Sequence, residues 1–133
     1  MTLPAELQAL RQGTAFVTAY ATACGFPPTR VQQLALAVGE ALANICAYAY
    51  PQSAGEVCIQ CAYDETQRLA VTIVDGGVPF NLLTVPPPDL LADLDTRTLG
   101  GLGIFLLRNL VDEVSYRREH EHNIVCLVLS AAV

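Results

Sequence analysis

Leu69-Ala70-Val71-Thr72-Ile73-Val74, running straight into Asp75-Gly76-Gly77-Val78-Pro79-Phe80, is the stretch from which the rest of the chain is read. A β-rich run delivers a carboxylate onto a glycine turn. Alone, Asp-Gly-Gly is only a turn; its meaning comes from what flanks it. Upstream, Glu56 to Tyr63 reads as a second strand, and the short Asp64-Glu65-Thr66-Gln67 link predicts an antiparallel hairpin.

Further upstream, Pro4 to Ala23 carries Leu7, Leu10, Phe16 or Val17, and Tyr20 at helical spacing, and stops at Gly25 and Pro27-Pro28. A second helix is predicted from about Arg30 to Tyr48, with Thr29 and Gln32 forming a capping box. Its apolar stripe is Val31, Leu34, Val38, Leu42 with Ala41, and Ile45, and Pro51 ends it. Downstream, Gly76 to Gly100 is a long connection containing Pro79 and Pro86-Pro87-Pro88, with a short helical turn expected at Asp89 to Asp95. Connections of that length in compact domains are usually functional or mobile. A third helix, from Gly101 or Leu102 to about Val111, precedes strands at Glu113 to Arg118 and Asn123 to Leu129, paired across Glu119-His120-Glu121-His122. The order ααββαββ predicts an α+β two-layer sandwich. Its mainly antiparallel mixed sheet is covered on one face by about three helices, in a single domain over residues 1–133.

Composition narrows the function. Hydrophobic residues make up 53% and charged residues 15%, which fits a globular chain rather than a disordered one. The longest apolar stretch, Val31 to Ala49, is interrupted by Gln32, Gln33, Glu40 and Asn44, which a membrane-spanning helix tolerates poorly. No charged segment precedes an apolar one at the N-terminus, so no signal peptide is read and a soluble cytoplasmic protein is expected. All seven basic residues are arginine, which excludes a phosphate-binding loop built on lysine. The net charge of −6 argues against direct nucleic-acid binding, which draws its affinity from cations. Cys58 and Cys61 form a CxxC, but residues three apart on a strand face opposite ways and no second pair completes a zinc set. The five cysteines therefore read as buried hydrophobes.

Three segments carry the chemistry. Glu40 and Asn44 are i and i+4 on one helix and lie off its apolar stripe. Such a pair reads either as helix surface or as an amide oxygen for Mg²⁺ beside a general base. Asp75 on its glycine turn can accept a hydrogen bond from the exocyclic amine of adenine, with Gly77 letting the base approach the backbone. Gly100, Gly101 and Gly103, with Leu102 among them, open a helix whose free amides suit phosphate. Without lysine, those amides, Mg²⁺ and an arginine must supply the positive potential, and Arg97 is the best-placed arginine, reading equally as a solvated lid side chain. His120 and His122 read as solvated hairpin residues and receive no function.

With these residues in view, the chain resembles the GHKL ATPase superfamily, and within it the small bacterial anti-sigma-factor serine/threonine kinases. The resemblance spans about Val31 to Leu129. It rests on Glu-x-x-x-Asn at Glu40–Asn44, Asp-x-Gly-x-Pro-Phe at Asp75–Phe80, Gly-Gly-Leu-Gly-Ile at Gly100–Ile104, and the stretch Leu107 to Arg117. It implies a Bergerat-type, histidine-kinase-like ATPase domain binding ATP and Mg²⁺ under a lid at about residues 81–99. Asn44 would hold the metal, Asp75 would read adenine, and Glu40 would be the catalytic base. It also implies transfer to a Ser or Thr of an anti-sigma-factor antagonist, with a sigma factor as the competing partner, in a switch that regulates transcription. A nucleotide-gated binding module without transfer is the alternative. Two departures stand out. Tyr48-Ala49-Tyr50 replaces the family's His-Ala-Tyr or His-Gly-Tyr, and Met1-Thr2-Leu3 is too short for the usual first strand, which leaves monomer and homodimer both open.

Overall fold

The computed structural model describes residues 1–50, 55–84 and 99–131. Its elements are β1 (Thr2–Pro4), α1 (Leu7–Ala23), α2 (Pro28–Asn44), a π turn (Ile45–Ala49), β2 (Glu56–Tyr63), β3 (Arg68–Asp75), a 3-10 turn (Leu82–Thr84), α3 (Leu99–Leu110), β4 (Glu113–Glu119) and β5 (His122–Ser130). The sheet runs β1-β2-β3-β5-β4. Every described pairing is antiparallel, so no parallel pair stands behind the mixed character expected of it.

One sheet face builds the core. Val57 and Ile59 of β2, Leu69, Val71 and Ile73 of β3, and Val125, Leu127 and Leu129 of β5 alternate inward and are buried. Against them α2 buries Leu34, Ala37, Val38, Ala41 and Leu42, continued by Ile45. The buried line of α1 is Ala9, Gly13, Val17 and Ala21; of the residues expected there Val17 is in it, while Leu10, Phe16 and Tyr20 are half-buried beside it. The reason is close approach. A Cβ at Gly13 would stand 2.6 Å from Ile59 Cδ1 and 2.9 Å from Leu42 Cδ1, so only glycine lets α1 lie this near both layers.

The N-terminus departs from expectation. Thr2, Leu3 and Pro4 do form a strand, pairing with Cys58, Val57 and Glu56, and α1 begins at Leu7 instead of Pro4. Three residues suffice because Leu3 is buried in the core and Pro4 sits on an edge strand, where its missing N–H costs nothing. The α2 capping box is also absent. Pro27 takes the N-cap position with extended φ −64°, ψ 151°, Pro28 fills the first turn, and no side chain caps the helix. Proline there is already set at helical φ and has no N–H to satisfy.

At its far end α2 does not continue to Tyr48 as a regular helix. From Ile45 it widens into one π turn through Ala49. The β4–β5 hairpin is tighter than predicted, with only His120 (φ 49°) and Glu121 (φ 66°) between the strands. Two successive left-handed residues match the right-handed twist of the strands they join. Cys58 pairs with Val74 and Cys61 with Val71, three positions apart on one strand and hence on opposite faces, as the sequence predicts. All five cysteines are free thiols. No described helix is long and apolar enough to cross a membrane.

Candidate functional site

The C-terminal end of α2 presents Glu40 half-buried and Asn44 only 3% exposed. Asn44, read from sequence as lying off the apolar stripe, is thus inside the domain. Its Nδ2 donates to the Glu40 carbonyl one turn back at 2.7 Å, which fixes the amide. Its Oδ1 is buried and accepts nothing.

β3 ends in Asp75, 1% exposed. Its Oδ1 accepts from the Gly77 amide at 3.0 Å and from Asn123 Nδ2 at 2.8 Å. Its Oδ2 is buried and, like Asn44 Oδ1, has no partner. Buried polar atoms are satisfied in the great majority of cases, so orphaned oxygens on two predicted site residues point to ligand groups.

The loop after Asp75 is held on all sides. Val78 N–H donates to the Ala49 carbonyl at 2.9 Å, joining the loop to the π turn. A Cβ on Gly77 would overlap that same carbonyl, so Gly77 is glycine here because of protein packing, where the sequence suggested room for a base. Tyr50 Oη accepts from the Gly76 amide at 2.8 Å and donates to the Glu56 carbonyl at 2.9 Å. Arg118 Nη1 donates to the Gly77 carbonyl at 2.8 Å. Phe80 packs against Tyr48 with ring centroids 5.2 Å apart. An open pocket of about 530 Å³ lies beside the loop, lined by Ala49, Tyr50, Gly76, Gly77, Pro79 and Arg118 among others; Glu40, Asn44 and Asp75 do not line it.

The π turn that follows Glu40 and Asn44 thus meets the Asp75 loop, through Ala49 against Gly77 and Val78. The third predicted segment lies on α3, which begins at Leu99 and packs on α2. The backbone of Gly100, Gly101 and Leu102 forms the first turn of that helix, where amides have no intrahelical acceptor, and Gly103 follows. Arg108 on α3 donates to the Leu83 carbonyl at 2.9 Å, tying the helix to the 3-10 turn. Of the predicted lid, residues 81–84 are described. Arg97, the expected turn at 89–95 and the rest of the lid through 98 lie outside the described residues.

Sequence reading missed Asn123, Tyr116 and Tyr50. Asn123 sits directly across the ladder from Asp75, a register that the strand pattern alone does not reveal. His120 and His122 are exposed, and among the described residues no group of three or more His, Cys, Asp or Glu side chains could hold a metal. A metal here would take one amide oxygen from the chain and fill its shell with phosphate oxygens and water, the habit of Mg²⁺. The orphaned Asn44 Oδ1 fits that role.

The sequence profile of the histidine kinase-like ATPase domain matches residues 3–129. The chain belongs to that ATPase family. Within it, similarity runs to the serine-protein kinases named RsbW. A Listeria monocytogenes RsbW is 31% identical over 84% of this chain and 74% of its own length. A Bacillus mycoides RsbW is 29% identical over 86% and 73%. These relatives place the chain with the anti-sigma-factor kinase group that its motifs resemble. Among solved structures, the RsbU and RsbW domains of a Mycobacterium tuberculosis protein match with TM-score 0.65 at 14% identity, over 98% of this chain and 32% of that one. A histidine kinase domain of an Erythrobacter litoralis blue-light activated kinase matches at 0.58 and 22%, over 80% and 46%. The chain spans a third to a half of those solved chains, and at these identities they support the histidine-kinase-like ATPase fold alone.

Proposed function

We propose that this member of the ATPase family is an ATP-dependent protein serine/threonine kinase, phosphorylating a small anti-sigma-factor antagonist within a partner switch. The observation that carries it is the pair of buried, unpartnered oxygens, Asn44 Oδ1 and Asp75 Oδ2. One suits a hard cation and the other a nucleobase amine. Bound Mg²⁺ would supply charge neutralisation to the phosphates. Asn44 holds an oxygen toward it, pinned by the bond from its own Nδ2 to Glu40. Asp75 fixes the base, and the amides of Gly100, Gly101 and Leu102 meet phosphate at the positive end of α3. Glu40 accepts the proton of the incoming Ser or Thr hydroxyl. Arg97 is assigned to the transferring phosphate from the sequence alone.

Tyr48 favours a second reading. Where the family carries histidine, this chain places a phenol 47% exposed and packed on Phe80. In that reading bound nucleotide gates a partner surface without transfer. Radiolabelled ATP with Mg²⁺ and an acceptor isolated by direct binding distinguishes the two. Labelled acceptor supports the kinase, whereas tight ATP binding with no label in the bound acceptor supports the gated module.

A further inference from the structure

Asn123 is 1% exposed and spends its whole amide on the site. Nδ2 donates to Asp75 Oδ1 at 2.8 Å and to the Val78 carbonyl at 2.8 Å. Oδ1 accepts from Tyr116 Oη at 2.6 Å and from the Phe80 amide at 3.2 Å. Two donors and two acceptors are all satisfied, and turning the amide over would set oxygen against Asp75 Oδ1 and the Val78 carbonyl and NH₂ against the Phe80 amide. Its orientation is therefore locked, and with it the orientation of whatever stands at position 75. Gly77 N–H and Asn123 Nδ2 both point donors at one atom of that side chain, so the other atom alone is left for a ligand group.

We propose that Asn123, held by Tyr116, is the positioning residue that sets the base preference at Asp75, by fixing which atom of residue 75 meets the purine 6-position. The proposal rests on the reading of Asp75 as the residue that meets the nucleobase. With aspartate the outward atom is an acceptor, Oδ2, matched to a 6-amino purine. With asparagine at 75, the amide oxygen turns to the two donors and the NH₂ faces outward. The pocket then matches a 6-oxo purine.

The experiment is calorimetric titration of Mg-ATP and Mg-inosine triphosphate into wild type, Asp75→Asn, Asn123→Leu and Tyr116→Phe, with circular dichroism as the fold control. One charge-assisted hydrogen bond corresponds to about tenfold or more in affinity, so wild type is expected to favour ATP by at least about that factor. Asp75→Asn is expected to reverse the order. Asn123→Leu is expected to weaken ATP while sparing inosine triphosphate, bringing the ratio to within about threefold, because hydrogen bonds fade steeply as their aim is lost. Tyr116→Phe, the milder change, shifts the ratio the same way if Asn123→Leu does not fold. A purely architectural role weakens both nucleotides alike. Equal wild-type affinity for the two overturns the nucleobase reading of Asp75 and this proposal with it. Wild-type discrimination that persists unchanged in Asn123→Leu and Tyr116→Phe, or equal loss of both nucleotides in Asp75→Asn, overturns this proposal alone.

Discussion

Gly77 lies so close to Ala49 that a Cβ added there would stand 2.8 Å from the Ala49 carbonyl carbon and overlap its oxygen. The residue that ends the widened turn after α2 and the residue two positions past the Asp75 carboxylate are thus in backbone contact.

Gly77→Ala is expected to destabilise the fold by about 1–3 kcal/mol, the usual cost of overpacking, because the obstacle is backbone that cannot swing away. The Val78–Ala49 hydrogen bond should open with it. Denaturant unfolding gives the stability, and nucleotide titration should show weaker ATP binding under conditions where the variant remains folded. A variant as stable as wild type with unchanged ATP affinity contradicts the contact.

Glu40 and Asn44 share a helix face but should separate cleanly in function. Glu40→Ala is expected to keep Mg-ATP binding and lose roughly 10²–10⁴-fold in transfer rate, the range for a general base. Asn44→Ala should instead remove the dependence of ATP affinity on Mg²⁺. Binding titrations with and without the metal, set beside single-turnover transfer, test the division. Transfer undiminished in Glu40→Ala sinks the base assignment.

Tyr50→Phe removes the hydroxyl that stands between Gly76 N–H and the Glu56 carbonyl. The surroundings are partly exposed, so water can replace part of the loss, and about 1 kcal/mol is expected. Hydrogen exchange at the Gly76 amide should quicken more than at Ile73, within the preceding strand β3. Equal protection in the variant and wild type means the hydroxyl is not what holds the turn.

Burial pushes the Cys61 thiol up to about 11 from an ordinary value of 9.0. The folded state therefore holds this proton more tightly than the unfolded chain. The stabilisation is fully present below pH 9 and is lost as pH rises through about 11, since stability falls with pH wherever the native state binds more protons. Cys61→Ala should flatten the alkaline limb of a stability-versus-pH curve relative to wild type, read by thermal unfolding between pH 8 and 11 in steps of about half a unit. An unchanged limb would assign the alkaline loss to other groups.

How much of this could be read in advance depends on how far apart the cooperating residues lie. The carboxylate, the amide and the glycine helix start were legible because each motif is complete within a few residues. The hairpins were legible because their turns are short. β1 was not, since a three-residue strand has no periodicity to detect and owes its existence to Leu3 finding the core against Val57. The missing capping box follows from competition, two prolines having occupied the helix start ahead of Thr29. Asn123 was invisible as a site residue because its partner is fixed by the β3–β5 register, across 48 positions of sequence. The packing reason for Gly77 was not legible: no pattern within its own loop announces that Ala49 will lie against it.

The π turn makes the site a matter of counting. A regular helix advances about 100° per residue, so removing one residue between Asn44 and Ala49 would turn everything after the deletion by roughly that angle relative to α2. Asn44 would keep its place over the sheet while Ala49 swung away from Gly77. Every motif would still be spelled out in such a chain. Its two halves would simply be out of phase, and a protein with a complete signature would lack the assembled pocket.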